Sequence, residues 1–197
     1  MDSTAEALAR LRRFARPVNS GLPAVDVALG DLRGLLVDAG VAFRIVGGVA
    51  VVHHGYTRTS EDLAVLVETD AGARIDAGLA AHGFERTSPA RLRHSATAVR
   101  VDLLVAGEPL PRDPSQRYPS PDALGASPRD PQIASLPGLV ELKLHARRHR
   151  DLADVVELMK RLDEAHYIEV EAAVDRGLRP ELARLRRDAL EERAGEE

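Results

Sequence analysis

Two carboxylates in this chain stand where phosphoryl chemistry would need them. Asp62 opens the apolar run Leu63 to Val67, and Asp102 lies inside the run Val99 to Val105. Both runs read as strands, the second alternating Val99, Val101, Leu103 and Val105 against Arg100, Asp102 and Leu104. Acids at the ends of paired strands, facing the same way, make a hard-oxygen site. Mg²⁺ takes such a site through one or two carboxylates plus phosphate oxygens and water. In phosphoryl and nucleotidyl transfer such ions, often two about 3.5–4 Å apart, bridge the triphosphate and the incoming oxygen. If the two strands do not pair, Asp62 and Asp102 are unrelated strand-end acids. Side chains alternate along a strand, so positions 62 and 64 share a face while Glu61 points to the other. Position 64 is an alanine.

Other groups could serve the same chemistry. Gly47 and Gly48 follow the β-rich run Ala42 to Val46. Glycines there let backbone N–H groups approach an anion closely, or they simply make a tight strand–helix turn. Arg58 and Ser60, in the polar loop that starts at Tyr56, offer a guanidinium and a hydroxyl to a phosphate, or form a solvated loop. Lys143 sits beside the apolar stripe Leu139, Leu142 and Ala146, with Arg150, Asp151 and Asp154 downstream. It is either a cation for the β- and γ-phosphates or part of an exposed cationic helix face. Lys143 and Lys160 are the only lysines among 27 basic residues, and a compact ammonium does different work from a guanidinium. His53 and His54 are adjacent and point to different faces, which suits surface or half-buried positions better than a shared metal.

The elements that would position these groups follow from periodicity. Amphipathic helices are expected over Thr4 to Ala15 and Ala24 to Ala39, the second stopped by Gly40. A short helix is expected over Val49 to His54, and a longer one over Asp70 to His82, stopped by Gly83. Strands are expected over Phe84 to Thr87, Arg91 to Ser95 and Val99 to Val105. The stretch 107–131 holds seven of the twelve prolines. It reads as a long loop, lid or disordered excursion unable to hold a sheet ladder or helix. Helices return over Pro137 to Arg150, Leu152 to Glu164 (capped near Asp151), Ile168 to Asp175 and Pro180 to Ala194. The organisation is therefore a core over 1–106 with N-terminal helices, a Pro-rich loop over 107–136, and a helical region over 137–197.

The 197 residues suit one domain, or one domain with a helical appendage. With 3% aromatics and no Trp, the core must be Leu, Val and Ala, and base-stacking platforms are scarce. The absence of cysteine closes disulfide and thiolate–metal chemistry and fits a reducing cytoplasm. No apolar run approaches the roughly 18–20 residues of a membrane span, and the Arg-bearing N-terminus does not read as a signal peptide. A net charge of −4 argues against wholesale coating of nucleic acid but leaves room for a local basic patch. Arg86, Arg91, Arg93 and Arg100, extended by Arg147, Arg148 and Arg150, are its candidates.

The ordered set Gly47-Gly48, Arg58-Thr59-Ser60-x-Asp62, Val101-Asp102-Leu103-Leu104, and Lys143 followed by Arg150-Asp151-x-x-Asp154 resembles the nucleotidyltransferase superfamily. It looks closest to the minimal bacterial type among abortive-infection type IV and related toxin–antitoxin nucleotidyltransferases. The resemblance spans roughly residues 42 to 160. It implies an α+β, polymerase-beta-like nucleotidyltransferase fold: a small mixed sheet, N-terminal helices and a C-terminal helical bundle that completes the site. It implies Mg²⁺-dependent transfer of NMP from an NTP to an acceptor hydroxyl with release of pyrophosphate. The implied acceptor is RNA, foremost the tRNA 3′ end, in the cytoplasm and with a cognate antitoxin; a protein or aminoglycoside-like acceptor is the rival. By resemblance Ser60, Asp62, position 64 and Asp102 surround the metal, Asp62 and Asp102 as its ligands. Gly47, Gly48, Arg58 and Asp151 lie at the nucleotide, and Lys143 clamps its phosphates.

Ala64 departs from that pattern, because the family carries its second metal-binding acid there and a methyl group offers no oxygen. Two explanations stand: an active enzyme whose aspartate at this position has become alanine, or a degenerate relative that binds without catalysing. A non-catalytic nucleotide- or partner-binding module on the same fold is the reading from a different class.

Overall fold

Strand β2 (Leu63–Val67) buries Leu63, Val65 and Val67 on one side and Leu66 on the other, so it must be covered on both faces. The computed structural model describes residues 22–196, and the helix expected over 4–15 lies outside them. β2 is the middle strand of a seven-stranded mixed sheet. It pairs antiparallel with β1 (Phe43–Val46) and parallel with β5 (Arg100–Val105). On one flank β5 carries β4 (Arg91–His94) and then β3 (Phe84–Ser88), both antiparallel. On the other flank β1 carries β9 (Asp130–Ala134) in parallel, and β8 (Ala126–Ser127) closes that edge. The chain is therefore α+β with a mixed sheet.

Helix α1 (Pro23–Asp38) starts with a proline whose missing N–H costs nothing in the first turn. It buries Val25, Ala28, Leu29, Leu32, Leu35 and Leu36 as one stripe, and Gly40 leaves it at φ 63°. Helix α2 (Gly47–His53) follows β1 without a linker. Helix α3 (Ala71–Asp76) precedes β3. After β9 come α4 (Leu136–Ala146), α5 (His149–Lys160), α6 (Glu164–Ala173) and α7 (Arg179–Glu196). Buried residues from Val25 in α1 to Ala189 in α7 belong to one hydrophobic cluster, which joins the helices to the sheet. Among the described residues no helix is long and apolar enough to cross a membrane.

The Pro-rich stretch corrects the sequence reading. It holds a hairpin, β6 (Pro109–Leu110) with β7 (Asp113–Arg117), and then the pair β8 and β9. Its prolines sit where no ladder N–H is required. Pro109 opens β6, Pro114 lies in exposed β7, and Pro131 precedes Ile133, the residue of β9 that pairs with β1. Both ladders carry a register shift, the usual accommodation for such residues.

Four helix expectations also change. The run 70–82 breaks after Asp76 and resumes as a 3₁₀ turn over Ala80–His82. Gly72 and Gly78 weaken it, and a Cβ on Gly78 would lie 3.0 Å from a methyl of Leu35, so the chain there packs directly on α1. Helix α4 stops at Ala146, with Arg147 at φ 49°, instead of running on to residue 150. Helix α5 then begins ahead of Asp151, placing that carboxylate inside the first turn, where it meets the positive helix end, instead of at the cap. The hydroxyl of Ser135 caps α4 and the carboxylate of Asp163 caps α6, the latter starting that helix four residues before Ile168.

Ile133 is fully buried opposite Ile45. Ile133→Ala should therefore cost about 2–5 kcal/mol in urea unfolding, as a core truncation does. A loop residue at 133 would cost a small fraction of that.

Candidate functional site

Strand register puts four residues in one row across the sheet. Arg91 in β4 pairs with Asp102 in β5, Asp102 with Ala64 in β2, and Ala64 with Val46 in β1. All four line a cleft of about 390 Å³. Gly47, next after Val46, also lines it. A Cβ there would stand 3.0 Å from the methyl of Ala64, and the backbone has φ +66°, so glycine is required on both counts. Helix α4 supplies Leu139, Leu142 and Lys143 to the opposite wall, and the start of α5 supplies Asp151. The β6–β7 hairpin closes the cleft with Leu110 and Arg112, and Tyr118 follows it. Arg112 donates to the carbonyl of Arg147, at 3.2 Å, which ties the hairpin to the α4–α5 junction.

The two acids proposed from the sequence are already engaged. Asp62 lies one residue before β2, and its carboxylate accepts from the guanidinium of Arg100. Nε of Arg91 donates to Oδ1 of Asp102 at 2.9 Å, and Nε of Arg100 stands 3.8 Å from the same oxygen. Position 64, beside Asp102, contributes only a methyl group. Among the described residues no three His, Asp or Glu side chains come together as a metal site. The donor set as it stands therefore does not fit Mg²⁺: two carboxylates hold arginines and the third position has no oxygen. Asp62 itself falls outside the cleft lining.

A second ionic cluster gathers most of the remaining candidates. Lys143, Asp151 and Asp154 are 5%, 5% and 2% exposed. Nζ of Lys143 donates to Asp154 at 2.6 Å and to Asp151 at 3.3 Å, which uses two of its three N–H groups. Arg58 donates to the same oxygen of Asp154, Oδ2, at 2.9 Å, and Arg148 donates to Asp151 at 2.6 Å. Burial pushes the Asp151 carboxyl up. The Arg148 hydrogen bond and the charges of Lys143 and Arg148 outweigh it and hold the carboxyl below the ordinary range. Lys143 thus reaches the cleft wall with its position set by two buried acids.

Gly48 and Ser60 form a packing pair. A Cβ on Gly48 would fall 2.2 Å from Oγ of Ser60, while that hydroxyl donates to the carbonyl of Asp62 at 3.0 Å. Neither residue lines the cleft. His53 bonds Ser127 and His54 bonds the carbonyl of Ala134, so both tie the end of α2 to the β8–β9 pair. Burial, with the neighbouring His54 charge, drives His53 down to about 4. Of the basic residues expected to form a patch, Arg86 pairs with Asp76 and Arg93 with Glu85. Sequence reasoning missed the arginine partners of Asp62 and Asp102, although Arg100 and Asp102 are two apart in a strand and so share a face. It also missed Arg112 and Tyr118, because the hairpin that carries them was read as loop.

No model of a known protein family matches the chain, and no curated protein matches it.

Lys143→Met would leave Asp151 and Asp154 buried with one cation each, and should cost about 3 kcal/mol. The Asp151 contribution is fully present above an unfolded carboxyl value of about 3.9 and is lost as pH falls through the lower folded value. Urea midpoints measured from pH 6 downward should therefore fall less steeply at the acid end in the Met variant. Gly48→Ala should cost about 1–3 kcal/mol by overpacking. Ser60→Gly removes both clashing atoms and should recover most of that loss in the double variant, read from thermal midpoints.

Proposed function

We propose that this chain is a nucleotidyltransferase of the minimal toxin type. Its cleft binds an NTP, and its transfer of NMP to an RNA acceptor, foremost the tRNA 3′ end, is crippled at position 64. The observation that supports this is convergence. Of the set chosen from the sequence, Gly47, position 64, Asp102, Lys143 and Asp151 come from five separate elements and line one cleft, while Gly48, Arg58, Ser60 and Asp62 lie outside its lining. A polymerase-beta-like arrangement, with a helical region completing a site on a mixed sheet, accounts for that meeting. In this reading Gly47 leaves room for the triphosphate and Lys143 offers it a fixed ammonium. Arg148 and Arg112 add cations at the rim, and the hairpin keeps bulk water from the far side. Mg²⁺ and an antitoxin partner belong to the active, acid-bearing form of such a protein. The residues present in this chain do not fit that ion.

A second reading has its own support. The arginine pairs on Asp62 and Asp102, together with Ala64, suit a non-catalytic nucleotide-binding module. The same assay separates the two. The chain and its Ala64→Asp variant are each incubated with Mg²⁺, α-labelled NTPs and total tRNA, with protein as an alternative acceptor. Ala64→Asp should label tRNA at least about tenfold above the parent, the rate equivalent of ~1.4 kcal/mol in the barrier. Binding without labelling by either form would favour the module. Equal labelling by both would remove position 64 from the metal site.

A further inference from the structure

A second acid is missing beside Asp102, but positive charge is not. Asp62, Asp102, Arg91 and Arg100 form one cluster whose formal charges cancel. A site built for a dication is net negative before the ion arrives, and that charge draws the ion in. Here a dication would enter a neutral cluster and would have to displace two guanidinium groups that repel it. Further along the same cleft stand Arg112, Arg148 and Lys143. The acids there are Glu108 and Asp151, and Asp151 is already held by Lys143 and Arg148.

Two of these cations are free to turn. The side chain of Arg91 is 57% exposed and that of Arg148 is 67% exposed. The Arg91–Asp102 pair is open to water on both sides and therefore weak, so Arg91 can exchange its carboxylate for a phosphate oxygen at little cost. Arg148 holds a buried acid, and it can turn to a phosphate because Lys143 stays on Asp151. The planar fork of arginine also matches phosphate geometry better than a point charge does. Leu104, Leu142 and Tyr118 give the same cleft an apolar side on which a nucleoside can leave water.

We propose that the cleft takes a nucleoside triphosphate in its metal-free form, with Arg91 and Arg148 supplying the counter-charge that a divalent ion supplies elsewhere. This rests on the reading that the cleft is a nucleotide site. Each carboxylate released by its arginine keeps a partner: Asp102 keeps Arg100, and Asp151 keeps Lys143. Phosphate binding therefore strands neither Asp102 nor Asp151.

The test is calorimetric titration of the full chain with ATP, GTP, CTP and UTP at constant ionic strength, once in EDTA and once in excess Mg²⁺. At least one triphosphate should bind in EDTA about tenfold more tightly than in Mg²⁺. Arg91→Gln and Arg148→Gln should each weaken the EDTA binding about tenfold, the loss expected for one charge-assisted hydrogen bond. The far-UV spectra of both variants should match the parent's. The thermal midpoint of Arg91→Gln should stay near the parent's, and that of Arg148→Gln should fall, because buried Asp151 then keeps only Lys143. Ala64→Asp should move the preference towards the Mg²⁺ complex. Binding only in Mg²⁺ would overturn the proposal and leave the nucleotide reading standing. Binding in EDTA that neither glutamine variant weakens would also overturn it. Failure of every triphosphate in both buffers would remove the proposal and the nucleotide reading together.

Discussion

The parallel register between β2 and β5 is the constraint on which the site depends. Because Ala64 lies opposite Asp102, the methyl group, the carboxylate, Arg91 and Val46 stand in one line on one face. A slip of one residue would turn this whole row to the other side of the sheet and bring Leu63 and Val65 to the cleft face. The buried alternation of β2 forbids that slip, because those residues are fully enclosed in the core that α1 covers. The chemistry of the cleft is thus held in place by apolar packing on the opposite face. The same logic sets Gly47: the row brings Ala64 so close that the next residue after Val46 has no room for a side chain.

The helical half of the cleft is held differently. Lys143, Asp151, Asp154 and Arg58 come from α4, α5 and the loop before β2, and they meet with almost no solvent. Removing charges from water is expensive, and a buried ionic cluster of this kind adds little to stability compared with an apolar core of the same volume. Its value lies in orientation. Asp154 Oδ2 accepts from both Lys143 and Arg58, so the loop before β2 and the α4–α5 pair share one fixed point. The sheet acids and the helical cations are then positioned independently, one by strand register and one by ion pairing, and the cleft is where the two systems meet.

Much of this could be read from the sequence, and the gaps have physical causes. The period-2 run of β5, the continuous apolar run of β2 and the 3.6-residue stripe of α1 each carry their own signal, so these elements fall close to where periodicity places them. The α+β class follows from them. The order of the motifs groups Lys143, Asp151, Asp154 and Arg58 as residues about a nucleotide; their ion pairs with one another are not legible there, because Arg58 lies 96 residues from Asp154 and only the fold brings them together. The Pro-rich segment was misread because proline frequency says nothing about which N–H groups a ladder needs. Pro109 and Pro131 sit at strand starts, and Ile133 is the residue that reaches β1. The arginine partners of the acids were hidden for another reason. Arg91 and Asp102 are eleven residues apart, and only the β4–β5 register brings them side by side.

Position 64 joins these threads. Neighbouring strands lie about 4.8 Å apart, so an acid there would stand directly beside Asp102 and near Asp62, three carboxylates at one end of two strands. Like charges so placed repel, and a divalent ion is the natural remedy. With alanine the repulsion is relieved in another way. Two acids remain, and two arginines from β4 and the start of β5 are enough to neutralise them. The alanine and the arginine pairs are therefore one electrostatic arrangement. With an acid at 64, the same two arginines would leave one negative charge over, and that remainder is what a metal would answer. The side chain at 64 thus decides whether this cluster is neutral or carries one uncompensated negative charge.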